Sequence, residues 1–196
     1  MTVLSAQSIQ YLCRNRVMVE PFTADKVVVN GKSYGLSAAT YDVRIAHDLT
    51  LHPDPLKVLQ QLVARNRFWS SQNVLDQWIT TMRADANHAL AYTMEDFHMP
   101  ENVCGVVMDK STYARQFMSA MNTFIDPGFK GNLTLELVNH GPDPIDLRAG
   151  DPVAQILFLE LDQATDRPYT GKYQHQTKAA HPARFEKNPA DNGDGS

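Results

Sequence analysis

The run Leu133-Thr134-Leu135-Glu136-Leu137 alternates apolar and polar positions with period two and predicts a strand. Its three leucines face one way, toward a core, and Thr134 and Glu136 share the other face. A glutamate in mid-strand among leucines is unusual, because a carboxylate buried without a partner is costly. Short strands also fit residues 17–22, closed by Pro21, the β-rich residues 26–30 between turns, and residues 37–45. Further strands fit residues 90–93, 103–108, 145–147 and 153–161, the last with Gln155 as its interior polar residue. Glycines and prolines punctuate these runs at Gly31, Gly35, Pro142, Pro144 and Gly150. Many short strands so punctuated predict an all-β sandwich or barrel.

Two departures from the β pattern stand out. Ser5 is placed to cap a short helix carrying Ile9 and Leu12, which Arg14 and Arg16 would end. Between 54 and 86, Leu56, Leu59, Leu62 and Val63 fall at helical spacing. After a cap candidate at Ser70 and Ser71, so do Val74, Leu75, Trp78, Ile79 and Met82. Two amphipathic helices laid over a β core account for this insertion, with Trp69 and Trp78 as packing anchors. A face for a partner or a subunit interface is the sharper alternative.

With 196 residues, 43% apolar and 20% charged, the chain suits one globular domain. We place that domain at residues 1–176, with a tail at 177–196 whose composition makes it mobile unless docked. The net charge of −4 recruits no nucleic acid, so any anion site must be built locally. No apolar run approaches a membrane span, and the first residues lack a secretory pattern, so a cytoplasmic protein is expected. Cys13 and Cys104 are far apart in sequence and read as thiols in a reducing compartment.

Candidate chemistry concentrates just before the central strand. Lys110, Ser111, Thr112 and Arg115 put two cations and two hydroxyls within six residues, enough to hold phosphate oxygens or a water. Ile125-Asp126-Pro127-Gly128-Phe129-Lys130-Gly131 is turn chemistry, with proline fixing φ and glycine supplying freedom.

This stretch resembles the dCTP deaminase branch of the dCTP deaminase/dUTPase superfamily. The K-S-T-Y-A-R segment, the I-D-P-G-F-K-G turn and the L-E of the strand occur in that family's order. Residues 37–45 resemble its S-Y-D-x-R-L strand, with Ala46 where a glycine is usual. Arg167-Pro168-Tyr169, Lys172, Tyr173 and Gln176 resemble its closing segment. Residues 53–87 match it poorly.

The resemblance implies a distorted jelly-roll of the dUTPase-like type, with a short N-terminal helix and, peculiar to this chain, the 54–86 insertion. It implies a homotrimer that deaminates dCTP. Zinc deaminases use an H-x-E and a P-C-x-x-C, and neither is present. Without zinc, a carboxylate must handle the protons, and the resemblance gives that role to Glu136, with Ser111 and Arg115 holding the water. Lys110 is expected on phosphate, and Asp126 on the deoxyribose as well as in its turn. Asn122 and Thr123 lie where the family presents backbone to the base, their own roles open, and Thr134 is expected to bind substrate, with Tyr169, Lys172 and Gln176 on the nucleotide from a closing lid. Mg²⁺ would arrive with the triphosphate, held by phosphate oxygens and water. Asp42 and Arg44 are expected to form mainly a structural pair. The alternatives are a dUTPase, a bifunctional enzyme yielding dUMP and pyrophosphate, or a nucleotide-sensing protein without catalysis. The sequence leaves open whether the base carries a modification.

Overall fold

The computed structural model describes residues 1–29, 31–65, 87–121 and 123–185. It opens with β1 (Thr2–Val3) and α1 (Ala6–Arg16). The Ser5 hydroxyl accepts from the Ser8 amide at 3.4 Å, satisfying an amide the first turn leaves free. Ile9 and Cys13 are the residues α1 buries, and Leu12 packs partly against the core. There follow β2 (Val19–Glu20), β3 (Val27–Val29), β4 (Lys32–Leu36), β5 (Thr40–Arg44), β6 (Leu49–Leu51) and α2 (Pro55–Arg65). The second half holds β7 (His88–His98), β8 (Val103–Asp109), α3 (Ser111–Ala114), β9 (Met118–Ala120) and β10 (Phe124–Ile125). It ends with β11 (Lys130–Asn139), β12 (Ile145–Leu147) and β13 (Pro152–Glu160). The proposed second helix of the insertion, with Trp69 and Trp78, lies outside the described residues.

The chain is mostly β, as its pattern predicts. One sheet runs β10-β8-β13-β5-β4-β3, with β1 added to β13, and a second runs β2-β7-β11-β9. A small pair, β12-β6, stands beside them. Residues Ala154 to Leu157 of β13 pair on both sides, with β5 and with β8. Tyr41, Val43, Phe97, Leu135, Leu137, Ile156 and Phe158 meet in a single buried core.

β7 runs further than its alternation predicts, to His98 instead of ending near Thr93. The reason is an irregularity in its pairing: Asn132 of β11 faces Asp96, but Thr134 faces Tyr92. Side chains fill the break. The Asn132 amide donates to the carbonyls of Thr93 and Glu95 at 3.1 and 3.0 Å. The Thr93 hydroxyl accepts from the Leu133 amide at 3.0 Å and donates to the Glu95 carbonyl at 2.7 Å. The Glu95 carboxyl, fully buried, is held by Arg44, whose backbone amide and Nε donate to its two oxygens at 2.9 and 2.8 Å.

The expected pairing of Asp42 with Arg44 is therefore corrected. They share a face of β5 but take different partners: Arg44 takes Glu95 of β7, and Asp42 takes the ammonium of Lys110 just before α3, at 2.7 Å.

Candidate active site

β11 delivers the first part of the site. Leu133, Leu135 and Leu137 are buried, and the opposite parity turns Thr134 and Glu136 toward a cavity of about 560 Å³. That volume is in the range of small-molecule sites. Leu90, which faces Glu136 across the ladder, lines the same cavity. Among the described residues, the Glu136 carboxylate has no hydrogen-bond or ion-pair partner. A half-buried, unpartnered carboxylate on a cavity wall is free to accept a proton from a bound water.

The turn before β11 supplies Asp126, exposed at the cavity wall, with its carbonyl accepting from the Phe129 amide at 3.2 Å. The two glycines of this stretch explain how the chain's closing segment comes here. Gly128 has φ +82°, and a Cβ on it would lie 2.7 Å from Pro168 Cβ. Gly131 has φ +128°, and a Cβ there would lie 2.5 Å from the Gln176 carbonyl oxygen. The Tyr169 amide donates to the Pro127 carbonyl at 2.8 Å, and the Asn132 amide to that of Gln176 at 2.9 Å. So Tyr169 and Gln176 wall the cavity, the Tyr169 ring tilted against Phe129 at 5.8 Å. The Thr134 hydroxyl donates to Gln176 Oε1 at 2.9 Å.

The following residues continue along β11 and are docked. The Lys178 amide donates to Asn132 Oδ1 at 2.9 Å and the His181 amide to the Thr134 hydroxyl at 3.2 Å. His181, Pro182 and Ala183 form part of the cavity wall. Arg184 closes back on the segment, donating to the Lys172 carbonyl at 2.8 Å.

Of the candidates named from sequence, the structure thus gathers Asp126, Thr134, Glu136, Tyr169 and Gln176 around one cavity. Ser111 and Arg115 are not on its walls. Both are exposed on or just after α3, and among the described residues the Arg115 guanidinium has no ion-pair partner. Lys172 also stands off the cavity wall, its Nζ 5.5 Å from the Tyr173 ring centroid. Asn122 lies outside the described residues. Lys110 is turned inward: it is 6% exposed, and its ammonium is committed to Asp42. A phosphate reaching it would have to share that cation with Asp42.

Of the polar lining residues, His88 and His181 were not anticipated, and Tyr173 was named only as part of the closing segment. His88 shares the parity of Leu90 on β7, so extending the period-two reading by one step would have found it. No spacing rule leads to His181, which reaches the cavity only because its segment docks on β11.

Comparisons with known proteins are consistent in direction. The family described as dCTP deaminase-like matches residues 3–161. A dCTP deaminase of Campylobacter jejuni is 35% identical over 173 residues, covering 86% of this chain and 91% of the relative. One from a Nitratiruptor species is 34% identical over 163 residues, covering 81% and 86%. The solved 2'-deoxycytidine 5'-triphosphate deaminase of Agrobacterium tumefaciens aligns with a TM-score of 0.48 at 17% identity, over 80% of this chain and 47% of that one.

Proposed function

Because the chain belongs to the dCTP deaminase-like family, we propose that it hydrolyses dCTP to dUTP and ammonia. The observation that carries this reading is the Glu136 carboxylate, unpartnered among the described residues, on the wall of a nucleoside-sized cavity. Glu136 takes a proton from water as the oxygen adds to C4 of the cytosine, and the ring nitrogen N3 becomes protonated. A proton then moves to the exocyclic amine, the C4–N bond breaks, ammonia leaves and C4 becomes a carbonyl. Asp126 is assigned to the deoxyribose, and Thr134, Tyr169 and Gln176 to holding the nucleotide from the β11 side.

Ser111 and Arg115 hold the water and stabilise developing hydroxide in this scheme. Their outward direction supports a site completed by α3 of a neighbouring copy, in a trimer. Exposed Phe117, Met121 and Phe124 on the same stretch suit a subunit seam. A trimer mass by light scattering from an active sample is the expected result, and full activity from a monomer would contradict it.

The triphosphate is assigned to Lys172 and to Lys110, whose ammonium would be shared with Asp42. Among the described residues, no three His, Cys, Asp or Glu side chains gather into a metal site. A Mg²⁺ arriving with the triphosphate would be held by phosphate oxygens and water.

A bifunctional course, with dUTP hydrolysed onward, is the second reading, and Asp126 on the cavity wall is what favours it. Loss of the cytosine amine removes a donor, leaving contacts tuned to cytosine poorly matched, so dUTP is expected to leave first. Incubation with each deoxynucleotide, following ammonia and pyrophosphate separately, tests both. One ammonia per dCTP with little pyrophosphate is expected. Matched ammonia and pyrophosphate, with dUMP as product, would establish the bifunctional course, and no ammonia from dCTP would end both.

A further inference from the structure

Burial alternates along the segment that carries Ser111 and Arg115: Lys110 and Tyr113 point inward, whereas Ser111, Ala114 and Arg115 are exposed. α3 has four residues, too few to hold its own geometry in water. Its N-cap residue, Lys110, makes no side-chain capping bond. What holds α3 must therefore be tertiary.

Tyr113 is 2% exposed, and its hydroxyl donates to Asp151 Oδ2 at 3.0 Å. The same oxygen accepts from Lys32 Nζ at 2.6 Å and from the Arg148 amide at 3.0 Å. Lys32 also lies over the Tyr113 ring, 5.3 Å from its centroid. Asp151 is itself anchored, its amide on the Arg148 carbonyl at 2.8 Å and its carbonyl on the Ile45 amide at 2.9 Å. Burial raises the Tyr113 pKa, so the phenol stays protonated and keeps donating. Burial also works against the Asp151 carboxylate, but the bonds from Lys32, the Arg148 amide and Tyr113 outweigh it and hold its pKa below the ordinary range.

We infer that Lys32, Asp151 and Tyr113 form a positioning network that fixes the orientation of α3, and through it the aim of Ser111 and Arg115. The inference rests on the proposed deaminase reading for its kinetic consequence, but the network itself can be judged without it. None of the three lines the cavity, so they act through the residues they hold.

The experiment compares Tyr113→Phe, Lys32→Gln, their double variant and Lys32→Arg with the wild-type protein. Removing only a hydroxyl or an ammonium that shares one carboxylate should lower kcat for ammonia release about tenfold, because small misplacements of reacting groups are costly. KM for dCTP should stay within about twofold, since Thr134, Tyr169 and Gln176 are untouched. The double variant should fall no further than the worse single one, because both act through Asp151. Lys32→Arg, which keeps a cation on Asp151, should restore kcat. Unchanged kcat in Tyr113→Phe, equal losses in kcat and binding, or full additivity would each overturn the inference. Amide hydrogen exchange over residues 110–116 gives an answer independent of turnover. It should quicken in Tyr113→Phe while exchange in β11 is unchanged, and equal protection in both proteins would refute the network. A wild-type protein that releases no ammonia from dCTP would instead refute the functional reading, leaving the exchange result to decide the network.

Discussion

Glu136→Gln should lower ammonia release from dCTP by about two to four orders of magnitude. The substitution preserves size and shape but replaces a proton acceptor with an amide that cannot take a proton from water. Nothing else of β11 duplicates it in the cavity, because the strand's other lining residues are Leu133 and Thr134. The variant should fold normally, since among the described residues Glu136 has no side-chain partner to lose. Nucleotide affinity, measured by calorimetric titration with dCTP, should survive, as Asp126, Thr134, Tyr169 and Gln176 still line the site. A turnover within about threefold of wild type would remove Glu136 from the proton-transfer step, whose usual contribution is far larger.

The largest expected effect on stability belongs to Arg44→Leu, which strands Glu95. That carboxyl is fully buried, and the arginine's backbone amide and Nε are the donors to its oxygens. Removing one partner of a buried pair costs about 3–5 kcal/mol, because the remaining charge is left uncompensated. Burial already raises the Glu95 pKa, with the bonds from Arg44 pulling the other way, so loss of the guanidinium should raise it further. A carboxyl whose folded pKa lies above its unfolded one binds a proton more tightly when folded. The deficit should thus be greatest above the folded pKa and shrink as pH falls, the gain becoming complete below the unfolded value of ~4.3. Urea midpoints at several pH values measure this, and a deficit that widened on acidification would contradict it. Leucine at both positions should recover much of the loss, as a well-packed apolar pair often replaces a buried ion pair without cost. The region matters to the site because the break in β7 at Thr93–Glu95 sets the register that gives Thr134 and Glu136 their face.

Elements with clean periodicity were legible. The L-T-L-E-L alternation gave the inward leucines and the cavity face of β11, and Ser5 capped the helix it was expected to cap. β7 was read too short because Glu95 points into the core, and a charge at an inward position looks like the end of a strand. Its partner, Arg44, is fifty-one positions away in sequence, so no local pattern announces it. Gly35 was read as a turn residue but lies within β4, where an added Cβ would come 2.4 Å from the Asp25 carbonyl oxygen. It is there for a close backbone approach. Lys110 next to a serine looks like an anion site, and only the fold brings Asp42 beneath it. Docking of residues 177–185 was equally hidden, since it runs through backbone amides and the small residues Gly128 and Gly131.

The place of β13 also bears on how the chain is made. Among the described residues it is the latest strand in sequence, yet it lies between β5 and β8 and carries β1 on Leu159 and Glu160. On the ribosome, β5 and β8 emerge long before the strand that joins them, each bearing unpaired backbone groups that invite wrong partners. The large sheet can close only when residues 152–160 have cleared the exit tunnel, so its closure waits for the strand that joins its halves. A nascent chain stalled just short of β13 would hold most of the sequence and almost none of the sheet's closure.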